Sequence, residues 1–442
     1  MLAEAAEIIP RVSGNVTVDI TTVNATTNNK TYHGHLAPEG GLALINSKVM
    51  IQNATNWVLR YLTIRDGATA VLSTDDALFL NRPNKIALDH LSLGWGGDEA
   101  LDIYTGNTGA GGTYSDLIFQ RSIFGQQRTG HNTGCLIGYT GGTGNGEPLV
   151  TGQLNFWATW ARTPNFAGDT GAYGRFSNDV AYGWVGRTSN IVRKPNVDIY
   201  NNYYKASTDT LTLDVSMMNQ YQDEGLGNPS IYSAGNYVEG YLTDLEADNT
   251  GAGGIWSYFD NYNSTLLPSG WFRGSPLSID ANVGYNPLTA LDTYSTIVTD
   301  KEVGNNRSTD SNGSPVVGLD SVDEAYFTAF NSGASTIVAE GSWSHPTIAS
   351  NTAYPDTNLN GIDDDFETTH SITSSSQVIT NWTFGDITVV NNAGYTAFEM
   401  WSAYAAGDFE RLSTIGNTFY TLTETQKGRN KHNIRKFVKR NM

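Results

Sequence analysis

Gln153-Leu154-Asn155-Phe156-Trp157, Arg175-Phe176-Ser177-Asn178-Asp179-Val180-Ala181-Tyr182 and Val197-Asp198-Ile199-Tyr200-Asn201-Asn202-Tyr203-Tyr204 are the stretches whose reading decides the fold. Each is a short run rich in β-branched and aromatic residues. Taking Leu154, Phe176 and Val197 as equivalent, the spacings are 22 and 21 residues, about one coil of a solenoid. Earlier copies run from Trp57 to Ile64, Ile86 to Leu93 and Leu117 to Phe124. They lie further apart, 28 residues from Val58 to Ile86 and 31 from Ile86 to Leu117. Extra loops therefore fall on one side, which in solenoids is often the binding face. The expectation is an all-β parallel β-helix; a β-sandwich, whose strands also recur, is the alternative.

Composition agrees. The 47 Gly, 23 Tyr and 10 Trp, with only 16% charged residues, suit a turn-rich β protein, and no long stretch carries the apolar spacing of an amphipathic helix. A formal charge of −18 excludes a nucleic-acid partner, whose phosphates need a basic surface. It also means that an anionic ligand needs a divalent cation or a local basic patch to be held. The lone Cys135 rules out a disulfide framework within the chain. The N-terminus shows no basic segment followed by an apolar run of signal length, and nowhere do eighteen apolar residues follow one another, so no membrane span is expected.

The expected organisation is a β-helix over residues 1–300, an irregular C-terminal extension over 301–410 packing on it, and a basic tail over 411–442. Gly304 to Pro315 reads as a connection, and Asp320 to Asn331 as a short helix. The tail carries seven Lys or Arg between Lys427 and Arg440.

Chemistry concentrates in Asp98-Glu99-Ala100-Leu101-Asp102-Ile103. Residues four apart on a strand point the same way, so Asp98 and Asp102 converge, and Asp76 from one coil earlier adds a third carboxylate. An oxygen-only set suits Ca²⁺; a solvated acidic edge is the plain alternative. A second candidate, Asp356-x-Asn358-x-Asn360-Gly361 followed by Glu367, matches EF-hand loop spacing. Asp356, Asn358, Asn360, Asp363 and Glu367 are its candidate ligands.

Asn84-Lys85-Ile86-Ala87-Leu88-Asp89-His90 followed by Asp98 to Ile103 resembles the pectate lyase signature of a strand ending in Asp-His and then Asp-Gly-x-x-Asp-Ile. His131 to Gly138 resembles that family's His-Asp-Lys segment, Arg162-Thr163-Pro164 its Arg-x-Pro, and Asp198 to Tyr204 its late asparagine-rich strand. The resemblance runs from about residue 8 to residue 410. It implies a right-handed parallel β-helix, secreted or extracellular, that cleaves polygalacturonate or a related acidic polysaccharide by calcium-assisted β-elimination. Carried over, Asp76, Asp98 and Asp102 hold Ca²⁺, Arg162 removes the C5 proton, and His131 and Thr133 contact substrate. Arg175 is the third candidate substrate contact, one of four cations with Arg187, Arg193 and Lys194 that can supply the charge of the family's second Arg, spacing selecting none of them. Similar calcium loops occur at the end of some bacterial pectate-lyase-like proteins.

Two positions depart from the pattern. The family's substrate-binding Lys is Thr133, and the second Arg after Arg-x-Pro is replaced by Asn165-Phe166-Ala167-Gly168. Thr133→Lys, which restores the family residue, is expected to leave activity unchanged or raise it. These departures also suit a rival class: a non-catalytic or depolymerising carbohydrate-binding β-helix spike of a virus or cell surface. Such spikes are usually trimers, whereas the lyases are usually monomers.

Overall fold

In the computed structural model the described residues run from 7 to 409 with 420–422. The main breaks are at 18–22, 25–27, 68–75, 106–115, 139–147, 211–217, 222–227, 246–254, 256–267 and 278–286. Of the tail 411–442 only Tyr420–Leu422 is described, as a strand antiparallel to Ile387–Asn391, and the basic stretch from Lys427 onward lies outside.

Each coil contributes strands to three faces. The first face stacks Val49–Gln52, Leu78–Asn81, Glu99–Tyr104, Thr133–Ile137, Asn165–Gly168 and Ser189–Arg193, all parallel. The second stacks Leu117–Gln120, Leu149–Gln153, Tyr173–Ser177, Asn196–Tyr200 and Ser230–Ala234. The third stacks Ile123–Phe124, Phe156–Trp157, Val180–Tyr182, Tyr203–Lys205 and Tyr237–Val238. The long strands Thr55–Arg65 and Asn84–Gly94 run through the corner between the second and third faces and join them into one sheet. The fold is a right-handed parallel β-helix.

Register corrects the sequence alignment of the coils. Gly152 pairs with Phe176 and Phe176 with Ile199, so these coils are 24 and 23 residues long. Leu154 is not a strand position; it sits at the corner with φ 58°. Arg121, Asn178 and Asn201 take the same left-handed turn in their coils.

Two forces hold the stack. Inside, apolar side chains pile up coil on coil; Phe124 stacks on Trp157 with centroids 3.9 Å apart. At the corner an amide ladder satisfies backbone donors that no strand reaches. The backbone N–H of Ser122 donates to Asn155 Oδ1 (3.1 Å), that of Asn155 to Asp179 Oδ1 (2.8 Å), that of Asp179 to Asn202 Oδ1 (2.8 Å), and that of Asn202 to Asn236 Oδ1 (3.0 Å). The polar residues Asn155, Asp179 and Asn202 of the recurring stretches are these rungs.

The C-terminal extension carries more regular structure than the sequence suggested. Helix α1 (Ser321–Ser332) begins where Asp320 accepts the N–H groups of Val322 and Asp323, and ends at Gly333, whose φ of 74° suits the turn. Its Tyr326, Phe327 and Phe330 cover the outer side of the third face at Phe156, Val180 and Tyr182. Arg65 locks it in place through Asp320 (2.6 Å) and Asp323 (2.8 Å). Helices α2 (Asp364–His370) and α3 (Ala397–Ala405) build a further aromatic cluster of Tyr354, Phe366, Trp382 and Trp401 against Leu36 of the early coils. There Ser402 Oγ lies 3.0 Å from both His33 Nδ1 and His35 Nε2. No helix among the described residues is long and apolar enough to cross a membrane.

Candidate active site

The candidate site grows from strand Glu99–Tyr104 on the first face. Leu101 and Ile103 are buried in the core, which turns the alternate residue Asp102 to the outside, beside Phe79 of the preceding coil and Leu136 of the next. Asp76 enters from the preceding coil and accepts the N–H of Glu99 through Oδ1 at 2.9 Å. Asp98 leads into the strand. Burial first, and then the negative charges of Asp76 and Asp98, hold the Asp102 carboxyl well above its ordinary value. Asp102 Oδ1 is buried with no hydrogen-bond partner among the described residues. Three converging carboxylates, one of them starved of donors, call for a positive charge at their centre, and an all-oxygen set fits Ca²⁺.

Two basic groups border these acids. His131 Nδ1 lies 2.5 Å from Asp98 Oδ1, with its side chain 40% exposed. The ligand atoms of Asp98, Glu99 and His131 fall within 4.8 Å of one another. Thr133 Oγ1 donates to the backbone oxygen of Asp98 at 3.2 Å. Arg162, at φ 60° and just before the cis Thr163–Pro164 bond, lies on the same face and forms an ion pair with Glu99.

Arg175 stands elsewhere. It belongs to the second face, where its Nη2 donates to the Leu277 backbone oxygen (2.8 Å) and its Nε lies 3.6 Å from Asp198 Oδ2. The structure does not bring it to the acidic cluster.

The loop 356–367 is ordered around Glu367. Asn358 Nδ2 donates to Glu367 Oε2 (2.9 Å) and Asn360 Nδ2 to Oε1 (2.6 Å), while Asp356 accepts the N–H groups of Asn360 and Gly361. Gly361 takes the turn at φ 87°. Asp356, Asn358, Asn360 and Glu367 thus share one centre. Asp363 instead caps α2, its Oδ1 accepting the Phe366 N–H at 2.9 Å.

No family model matches the chain. Curated relatives do. It is 26% identical over 246 residues to "Probable pectate lyase C" of Aspergillus flavus, covering 53% of each chain. To the protein of the same name in Neosartorya fischeri it is 25% identical over 385 residues, covering 84% of this chain and 76% of the other. The chain is a relative of the pectate lyases. It spans about half the length of the Aspergillus flavus pectate lyase that it matches, 53%. Among solved structures, the cedar pollen allergen jun a 1 overlaps at TM-score 0.43 and 14% identity, over 67% of this chain and 78% of that one. A pectate lyase of Bacillus sp. N165 in complex with trigalacturonate overlaps at TM-score 0.44 and 10% identity, over 66% and 83%.

Against the pectate lyase pattern, the residue that sequence reasoning passed over is Glu99. It occupies the Gly position of Asp-Gly-x-x-Asp-Ile, is 1% exposed, and faces Arg162. The signal was there, in an acid standing where the pectate lyases have no side chain at all.

Proposed function

We propose that the chain is a polysaccharide lyase that cleaves a polygalacturonate-like uronan by calcium-assisted β-elimination, acting outside the cell. One observation carries this reading: a carboxylate cluster in which a buried oxygen of Asp102 has no partner among the described residues shares one face with an arginine in a pectate lyase relative. Asp76, Asp98 and Asp102 are the residues that would hold calcium. When bound there, the ion neutralises the C6 carboxylate of a uronate and acidifies its C5 proton.

The elimination balances within one ring and its leaving group. A water at the site takes the C5 proton, the C5–H electron pair becomes the C4–C5 double bond, the C4–O4 bond breaks, and O4 departs with its electrons and takes a proton back from that water. Arg162 stands where the resemblance puts the group that meets C5. A guanidinium resists deprotonation, and the Glu99 carboxylate beside it favours its charged form further. Its better-supported part is to stabilise the negative charge that builds on the ring in the transition state. His131 and Thr133 border the same cluster and are the proposed substrate contacts; Arg175, bonded on another face, is left out. The loop 356–367 is proposed as a second calcium site with a structural role, through Asp356, Asn358, Asn360 and Glu367.

The test is polygalacturonate with calcium, followed by the ultraviolet absorbance of the new double bond. Wild type should form unsaturated product, and Arg162→Lys should lose most of it while still binding polymer. Binding without product on any uronan would overturn the lyase reading in favour of a carbohydrate-binding β-helix.

A further inference from the structure

Glu99 is a carboxylate with almost no access to water, and a buried charge of this kind is stable only beside a counter-charge. That counter-charge is Arg162. The two do not stand on neighbouring strands. Register places Thr133 beside Glu99, and a bridge places Ala161 beside Thr133. The ion pair therefore spans an intervening coil, a backbone separation of roughly 10 Å, and crosses it at Thr133. Threonine suits that place: its side chain is short, and its hydroxyl is spent on the Asp98 backbone oxygen.

We infer that Glu99 is a positioning residue, holding the Arg162 guanidinium against the acidic cluster through the space that Thr133 leaves open. The arginine precedes a turn and is 20% exposed, so its long side chain needs a fixed partner to keep one direction. The carboxylate supplies it, through the ion pair between Arg162 Nη1 and Glu99 Oε1. Thr133→Lys would place a competing ammonium on the strand adjoining Glu99, whereas Arg162 reaches the carboxylate from one strand further away, and draw the carboxylate from it. This reverses the expectation from family pattern alone: Thr133→Lys should impair the site rather than improve it. The catalytic consequence rests on the proposed lyase reading; the pairing itself does not.

The experiment therefore has two arms. In the first, the intact chain is treated with phenylglyoxal and modification of Arg162 is followed by peptide mass spectrometry. Glu99→Gln and Thr133→Lys should each speed its modification several-fold, and the double variant should be no faster than Glu99→Gln. In the second, turnover of polygalacturonate with calcium should show kcat lowered ~10- to 100-fold by either substitution with KM little changed, the cost of a mis-set group. The double variant should again match Glu99→Gln, because no carboxylate is left for the introduced ammonium to divert. Unchanged Arg162 reactivity in both single variants would overturn the inference, as would a Thr133→Lys enzyme at or above wild-type kcat. If wild type makes no unsaturated product, the lyase reading fails, and the modification arm alone decides whether Glu99 holds Arg162.

Discussion

Asp179 is the one carboxyl in the amide ladder at the corner of the coils, and replacing it by asparagine should stabilise the protein above neutral pH. Its Oδ1 accepts the Asn155 N–H at 2.8 Å and Asn155 Nδ2 at 3.1 Å. Burial pushes the group from 3.8 up to about 7, the donors of Asn155 and the Trp157 side chain only partly offsetting it. A carboxyl raised in the folded state contributes its full stability below the unfolded value near 4 and loses it as pH rises through about 7. At ~1.4 kcal/mol per pH unit the loss reaches ~4 kcal/mol by pH 8. Asparagine keeps the acceptor and adds a donor. In the neighbouring coils Asn202 Nδ2 donates to Phe176 O (3.2 Å) and Asn236 Nδ2 to Ile199 O (3.0 Å). By register the carbonyl of Gly152 is the equivalent acceptor for residue 179. Thermal melts of wild type and Asp179→Asn at pH 5 and pH 8 are the assay. The variant should melt higher at pH 8 and show a flatter dependence on pH. A variant less stable than wild type at pH 8, or one with the wild-type pH slope, would refute the reasoning.

Asp102→Asn should weaken calcium binding at the first face at least about tenfold by titration calorimetry, since it removes a charge whose oxygen has no other partner. Glu367→Gln should weaken or abolish calcium binding by the loop 356–367 and lower the melting temperature measured with calcium present; an unchanged titration removes that loop as a site. His33, buried against Ser402, has its imidazole pushed below 6.5 by burial despite Glu7 at 2.6 Å. Its contribution is present above 6.5 and lost as pH falls, opposite in sign to Asp179. His33→Gln should therefore flatten the loss of stability seen on acidification below pH 6.5.

The coiled architecture was legible because parallel coils repeat their side-chain pattern, and so was the convergence of Asp76, Asp98 and Asp102, which needs only strand alternation and one coil of offset. Register was not. Leu154 looked like a core position because it is apolar, yet it packs outward into the cluster under α1, alongside Phe330. Where a helix covers the outer side of a sheet, hydrophobicity no longer separates inside from outside. Asp363 was grouped with the loop ligands by proximity in sequence, whereas the helix start next to it had the stronger claim on its oxygen. Arg175 was chosen for its charge, and only the position of Asp198 in the adjoining coil reveals where that charge is spent. The burial of Glu99 depends on an arginine two coils later, and no local pattern announces it.

The return of the C-terminal extension to the first coils changes what kind of object this solenoid is. Thr309 donates its N–H to the Ala37 oxygen at 2.9 Å and bridges to Pro38, and Asp408 reaches Arg60 at 2.9 Å. An open stack is nearly one-dimensional: each repeat knows only its neighbours, and the array can fray from either end. Here the late chain fastens the early one, closing a loop of roughly 270 residues, a span over which closure entropy is large. Unzipping of the early coils must first break contacts made by residues far later in the chain. Closure on that scale makes for slow folding, since its entropy must be met before the final contacts form. It also makes for concerted unfolding, in which the array is lost as a whole.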